Sequence, residues 1–367
     1  MLNVLIIGAG QCGNRILDAI NYKAFGGGRF SKYYSRQKFP SHVETIAVNT
    51  AINDLKEMRH TKAKDRIHIP HLHGVGANRI IGKQCFTDNK DLLMRKISER
   101  GHFDVAFVIT SSSGGTGSSF SPLLVEELKN TYDFPVYIIV VLPFREEGSI
   151  YLQNSAFCLK EMHNSRADGL IVGDNQFLKH AGGDIQSAYD GINSMIAERI
   201  LFLLEALDSE MMMVTDLGDF KTVMAGGAGI ATIGFAKGDE KSPIKTVIQK
   251  SLSPSGLLFS SNVYEEGSRA MIILAGDRKY LNIDDISSEI DKLSSHIGHV
   301  FKGVIIRNGE TPRILSIITL ENTIELESLY TLAIEAIHVE KEKRDRIALQ
   351  KETGTAFSKI DGMEPQY

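Results

Sequence analysis

Apolar positions along the chain follow two rhythms. Short, unalternating runs rich in Val and Ile occupy Leu2–Ile7, Val43–Val48, Val105–Thr110, Val136–Leu142 and Leu170–Val172. Runs of this kind predict strands of a parallel sheet buried on both faces. Helix-like segments separate them, so the first half predicts a doubly wound α/β domain with its ligand beyond the carboxyl ends of the strands. From Gly183 to Leu207 the rhythm changes. Ile185, Tyr189, Ile192, Ile196, Ile200, Leu203 and Leu207 recur every three or four residues, which predicts one helix, roughly 37 Å long at ~1.5 Å per residue. Further strands are predicted near Ile230–Phe235, Ala270–Leu274, Val300–Ile306 and Ile314–Leu320, with helices between them. They suggest a smaller α/β domain with a mixed sheet. Thr323 to Gln350 reads as one or two amphipathic helices bearing the charge run Glu340–Arg346, and the chain from Thr353 reads as a short frayed tail. The stretch Ala24–Ser41, rich in Gly, Arg, Lys and Tyr, reads as an exposed loop or short helical insertion.

Composition narrows the class. A chain of 367 residues exceeds one average core, which suggests more than one domain. Hydrophobic content of 43% with 23% charged residues is ordinary for a globular protein. A net charge of -4 gives no reason to expect nucleic acid or an anionic membrane as partner. The three cysteines are an odd number without metal-ligand spacing, which suggests reduced thiols and a cytoplasmic location. Met1 leads directly into a strand pattern, so no signal peptide is expected. No apolar run reaches ~18 residues, so no membrane insertion is expected either.

Two glycine loops carry the chemistry. In "LIIGAGQCGNRI", Gly8, Gly10 and Gly13 fit G-x-G-x-x-G at the end of the first strand. A dinucleotide reading needs an acid at the end of the second strand, but "ETIAVNT" ends on Asn49 and Thr50, and Asp54 comes a turn later. The second loop, Ser111-Ser112-Ser113-Gly114-Gly115-Thr116-Gly117-Ser118-Ser119, lies between a buried strand and a helix. Successive backbone N–H groups there form an anion nest, and the helix N-terminus adds roughly half a positive charge. No Gly-Lys-Ser/Thr follows, so the loop is not Walker A. Without that lysine, backbone, dipole and Mg²⁺ must neutralise the phosphates. Two such loops at separate strand ends suit a nucleoside triphosphate better than the dinucleotide of an NAD(P) oxidoreductase.

The second loop is where a resemblance becomes specific. "GGTGS" at 114–118 resembles the signature of the tubulin/FtsZ superfamily, and "GQCGN" at 10–14 resembles the first nucleotide loop of tubulins. "MMMVTDLGDFKTVM" at 211–224 is similar to the FtsZ segment bearing catalytic acids, and "PFREEG" at 143–148 to the FtsZ loop that reaches the ribose. The combination looks most like the archaeal CetZ group, which is associated with cell shape. The resemblance implies an α/β fold: a GTPase domain over 1–182, a connecting helix over 183–208, an activation domain over 209–322, and helices with a tail over 323–367. It implies GTP/GDP as ligand with Mg²⁺, held by Gly10, Gln11, Cys12, Gly13, Asn14, Asn49, Thr50, Gly76, Ala77, Asn78, Gly114, Gly115, Thr116, Gly117, Ser118, Pro143, Glu147 and Asn175. Ser119 stands where the family loop often ends in glycine, Thr215 where an asparagine usually precedes the first acid, and Tyr151 near a position where many FtsZ proteins have arginine.

Tyr189 and Asn193 lie four apart near the start of the long helix, so they face the same way. A ring can stack on a base and an amide can bond its edge. The resemblance assigns them to guanine, although an amide also suits adenine. Asp216 and Asp219 lie past the far end of that helix, ~30 Å from Asn193 if the path is helical. They are either helix caps or groups acting on a nucleotide held by another subunit. The second alternative requires a head-to-tail contact, which gives a filament when its rotation does not close. The expectation is a filament-forming GTPase completed between subunits. The alternatives are a GTP-binding filament protein with little hydrolysis, or a cell-division FtsZ. An unidentified tethering partner is left open.

Overall fold

The computed structural model describes residues 2–25, 42–71, 74–178, 185–208, 216–225, 229–321 and 323–352. Most of the insertion at 24–41, Thr215 and the tail from Thr353 lie outside the described residues.

The first half alternates strand and helix: β1 (Asn3–Ala9), α1 (Gly10–Phe25), β2 (His42–Asn49), α2 (Ile52–Glu57), β3 (Arg66–His68), α3 (Arg79–Ser98), β4 (Val105–Ser111), α4 (Gly115–Thr131), β5 (Val136–Leu142), α5 (Ser149–His163), β6 (Gly169–Asp174) and α6 (Asn175–Leu178). The second half follows as α7 (Ile185–Leu207), α8 (Leu217–Met224), β7 (Ile230–Lys237), α9 (Ile244–Leu252), α10 (Val263–Glu266), β8 (Gly267–Gly276), α11 (Ile283–Ser294), β9 (His299–Ile306), β10 (Arg313–Leu320) and α12 (Ile324–Glu352). The predicted strands are present; β5 keeps its predicted bounds, β1 starts one residue later and ends two later, and the others are longer by one to a few residues. The predicted long helix is present from Ile185, and the pattern over Thr323–Gln350 forms one helix rather than two.

All described strands join one sheet of order β3-β2-β1-β4-β5-β6-β7-β10-β8-β9. Strands β1 to β7 run parallel, and so do β8 and β9, while β10 is antiparallel to both β7 and β8. The strands of the second half thus extend the sheet of the first and make it mixed. The joint is narrow: β6 and β7 pair only through Leu170–Ile230 and Ile171–Ala231. Beyond it the strands part, and Leu258 fills the gap by bonding both Ile233 and Asp174.

Alternation along each strand fills two apolar layers. Leu5, Ile7 and Ala9 face one layer with α3, α4, α5, α9, α11 and α12. Val4 and Ile6 face the other with α1, α7 and α8. Along α7, Ile196, Ala197, Ile200, Leu201, Phe202, Leu203 and Leu204 are all buried. From Arg199 to Leu207 the helix is therefore buried all round, beyond the single stripe its periodicity predicts, while its first half keeps an exposed side. Its end is pinned to the second half by Glu205, which takes Arg307 at 2.8 Å. Arg199 of the same helix donates to Gly256 O at 2.8 Å, and just past its end Leu2 N–H, at the start of the sheet, donates to Asp208 Oδ1 at 3.1 Å. Among the described residues no helix is long and apolar enough to cross a membrane.

Candidate functional site

The chain turns from β1 into α1 at Gly10, whose φ of 73° suits glycine. A Cβ there would lie 2.8 Å from Gly117 N, so the two glycine turns pack directly on each other. From β4 the chain enters α4 through Gly114, an N-cap with no side-chain bond to the first turn. The first turn of α4 carries no acidic residue. Its amides and the helix dipole are thus left to an anion. Ser111 Oγ holds the approach by accepting from Ser113 N and Gly114 N, both at 3.4 Å. Ser119 fits where the resemblance expects glycine because its partner is Gly82 of α3: a Cβ on Gly82 would come within 2.1 Å of Ser119 Oγ.

These turns open on a cavity of about 610 Å³ across the carboxyl ends of the strands. Sixteen predicted residues line it: Gly10, Gln11, Cys12, Asn49, Thr50, Gly76, Ala77, Gly114, Gly115, Thr116, Gly117, Pro143, Glu147, Asn175, Tyr189 and Asn193. Four predicted residues do not line it, and each supports the wall from behind. Gly13 lets α1 approach β4, since a Cβ there would lie 2.1 Å from Ile109 O. Asn14 is 1% exposed and donates to Val48 O. Asn78 caps α3 by accepting from Ile80 N and Ile81 N. Ser118 Oγ bonds Gly114 O and accepts from Arg79 Nε.

The lining changes character from one end of the sheet to the other. At the β5–β6 end are Tyr189, Asn193, Asn175 and the loop after β5. Tyr189 meets Phe144 edge-on at 5.5 Å, leaving an aromatic face beside two buried amides. Arg145 of that loop is clamped to Asp174 at the tip of β6, Nη2 to Oδ2 at 2.6 Å. Burial still raises the Asp174 carboxyl above its ordinary range, with Arg145 opposing. Glu147 Oε1 accepts from Phe144 N at 3.0 Å, and burial raises its carboxyl too. Burial, then the nearby Glu147, pushes the Cys12 thiol up to about 12, so it is an uncharged packing group. In the middle lie the two glycine turns. At the β2–β3 end are Thr50, Asp54 and the loop Gly74–Ala77. Thr50 Oγ1 lies 2.7 Å from Thr116 Oγ1.

Sequence reasoning missed part of the wall. Arg15, Asp54, Ser111, Ser113 and Tyr151 line the cavity too. From spacing alone Asp54 reads only as a misplaced ribose acid. Gln11 Nε2 donates to its Oδ1 at 3.3 Å and Asn49 Nδ2 to its Oδ2 at 2.9 Å. Arg15 was legible, lying four residues after Gln11 on the same helix face. Among the described residues no group of three or more His, Cys, Asp or Glu side chains is placed to hold a metal alone.

Asp216 and Asp219 lie at the other end of the molecule. They open α8, whose last residue Met224 packs on Gly169 at the start of β6, opposite the Asp174 tip that meets the cavity. Asp219 N–H donates to Asp216 Oδ1 and Asp216 N–H to Asp219 Oδ2, a reciprocal capping pair. Neither lines the cavity.

Residues 3–183 match the model of the Tubulin/FtsZ family, GTPase domain. The chain is 58% identical to the tubulin-like protein CetZ of Methanothrix thermoacetophila, with all of both chains covered. CetZ1 from Haloferax volcanii, a GDP-bound monomer, superposes with a TM-score of 0.78 at 26% identity, over 91% of this chain and 99% of that one. CetZ2 from Haloferax volcanii, a GTPγS-bound protofilament, has the same fold, with a TM-score of 0.79 at 24% identity, over 93% and 100% of the two chains.

Proposed function

The chain belongs to the tubulin/FtsZ family as a CetZ-like member, and from that premise we propose that it is a cytoskeletal GTPase of the cytoplasm that assembles head-to-tail into filaments controlling cell shape. The observation that carries the nucleotide assignment is the order of the cavity wall. An aromatic ring and two amides, then the Glu147 loop, then the glycine turns, then Thr50 and Gly74–Ala77 match a base, a sugar, inner phosphates and a terminal phosphate in sequence. Guanine as the base, and self-association, are supported by the GDP-bound and protofilament relatives. The residue contacts named here are part of the proposal, as is the division into domains at 1–182, 183–208, 209–322 and 323–367.

The donor set suits Mg²⁺, which takes oxygen ligands and shares them with phosphates and water. Asp54 keeps lone pairs beyond those its two amide partners use. It would hold the ion together with the phosphates, and Gln11 would steady Asp54. When bound, the ion offsets charge on the transferring phosphoryl group. The chain's own residues do the rest. Tyr189 and Asn193 seat the base, Glu147 the sugar, and the α4 amides the phosphates. Water attacks the γ-phosphorus in line and GDP leaves. Asp216 and Asp219 are too far away to act within their own subunit, so those of the next subunit orient that water. The mutual capping of the two acids favours a second reading, in which they are structural and the filament hydrolyses GTP little.

The test is GTP hydrolysis per molecule across protein concentration, with pelleting at each point, for the native chain and Asp216→Ala. A rate threshold that coincides with pelleting, and a variant that pellets without hydrolysis, support the shared site. A flat rate with the variant unchanged sinks it in favour of helix caps.

A further inference from the structure

Asn154 of α5 does not line the cavity, yet it touches two of the loops that do. Its Nδ2 donates to Ala77 O at 2.8 Å and to Ser113 O at 2.9 Å. It is 8% exposed. An amide NH₂ has two protons, and both are used here. Both neighbours are carbonyls, so the orientation of the amide is fixed by chemistry. One side chain thereby joins the loop that follows β3 to the loop that follows β4.

The same two loops meet at other points. A Cβ on Gly115 would lie 1.7 Å from Gly76 O, so the backbones are already in contact. Arg79, the first residue of α3, reaches Ser118 of α4 through Oγ at 3.1 Å and O at 3.0 Å. The Ser118 carbonyl is free to accept because Pro122, four residues on, has no N–H to give it. No backbone ladder ties the loop over 74–77 to the loop over 111–117. The hydrogen bonds that cross between them come from side chains: Asn154 at the edge of the cavity bonds both loops directly, and Thr50 on the cavity wall accepts from Val75 N and meets Thr116 Oγ1, while Arg79 ties α3 to α4 just behind them.

We infer that Asn154 is a positioning residue that sets the preference for a triphosphate over a diphosphate. The inference rests on the nucleotide reading above. In that order of the wall, the α4 amides meet the inner phosphates and Gly74–Ala77 meets the terminal one. A diphosphate needs only the first loop in place. A triphosphate needs both at a fixed separation; Thr50 bridges them from within the cavity wall, and the Asn154 amide is the tie outside it that bonds a carbonyl of each.

Asn154→Asp tests this, because it keeps the shape but turns an oxygen toward two carbonyl oxygens. Displacement of a fluorescent GDP from the full chain by GDP or by a non-hydrolysable GTP analogue is measured below the concentration at which the protein pellets. The GDP affinity is expected to stay within ~2-fold, while the analogue weakens about tenfold, the scale of losing hydrogen bonds and leaving buried acceptors unpaired. Equal weakening of both ligands, or of neither, overturns the inference. A native chain that binds neither nucleotide instead removes the guanine-nucleotide reading itself. If circular dichroism shows the variant unfolded, hydrogen exchange on the native chain decides. Replacing GDP by the analogue should protect 74–79 and 111–118 together, and protection of one segment without the other overturns the coupling.

Discussion

Asp216 and Asp219 hold each other's backbone: Asp219 N–H donates to Asp216 Oδ1 at 3.0 Å, and Asp216 N–H donates to Asp219 Oδ2 at 3.3 Å. Capping and catalysis therefore make different demands on the same pair. Asparagine caps a helix about as well as aspartate but carries no charge. Asp216→Asn is expected to keep the stability of the chain within about 0.5 kcal/mol and to remove most GTP hydrolysis from pelleted protein. Urea unfolding and phosphate release, measured on one preparation, separate the two. Unchanged phosphate release would leave capping as the whole role.

The Arg145–Asp174 clamp holds the loop that follows β5 to the tip of β6. Asp174 is fully buried, and the Arg145 side chain is only 16% exposed. Asp174→Ala leaves that guanidinium without its carboxylate and is expected to cost about 3 kcal/mol, the lower end for breaking a buried pair. A urea midpoint measures it. Asp174→Asn, which can still accept from Gln176 N, should recover part of the loss.

Tyr189 offers a ring to the β5–β6 end of the cavity, where the proposed function seats the base. Removing an aromatic stacking partner costs about 1–3 kcal/mol per base. Tyr189→Ala should thus weaken GDP binding by tenfold or somewhat more, while binding of inorganic pyrophosphate at the glycine turns stays unchanged. Calorimetry with the two ligands reads both, and equal losses would place Tyr189 in the core rather than at the base.

Glu147 gives a pH signature. Its carboxyl is raised by burial in the folded chain, so the folded state holds the proton more tightly than the unfolded state does. Stability of the ligand-free protein should fall as pH rises through the window from the unfolded value, about 4.3, to the raised folded one. Above that window the loss is constant. Glu147→Gln removes this slope, so the variant should gain on the native chain as pH rises. Urea midpoints of both chains from about pH 4 to pH 8 show whether the difference grows in that direction.

The strands were legible because each is an apolar run flanked by polar turns, and burial on both faces leaves little else in them. β3 was not, because Arg66-Ile67-His68 has one apolar residue and no period. The glycine turns were legible for a different reason: their backbone contacts exclude a Cβ, so glycine itself is the signal. Asp54 and Asn154 escaped because their meaning lies in what they touch. Asp54 meets Gln11 across 43 positions, and Asn154 meets Ala77 across 77. No local pattern records such a meeting. The acids were visible as a pair, yet D-x-x-D is the same string whether it caps a helix or serves a neighbour, so spacing alone left both readings standing.

Helix α7 has 23 residues without a break, and the cavity lies at one end and the Asp216–Asp219 pair beyond the other. A continuous helix is a ruler: at ~1.5 Å per residue it spans about 35 Å. Any axial repeat built from these subunits inherits that length from the covalent chain, not from the nucleotide. The helix is also a phase lock. One inserted residue would turn everything after it by about 100°, while whole turns would lengthen the ruler and nearly restore its phase. Length change in such an array is therefore quantised in helical turns, and evolution could lengthen the repeat only in those steps.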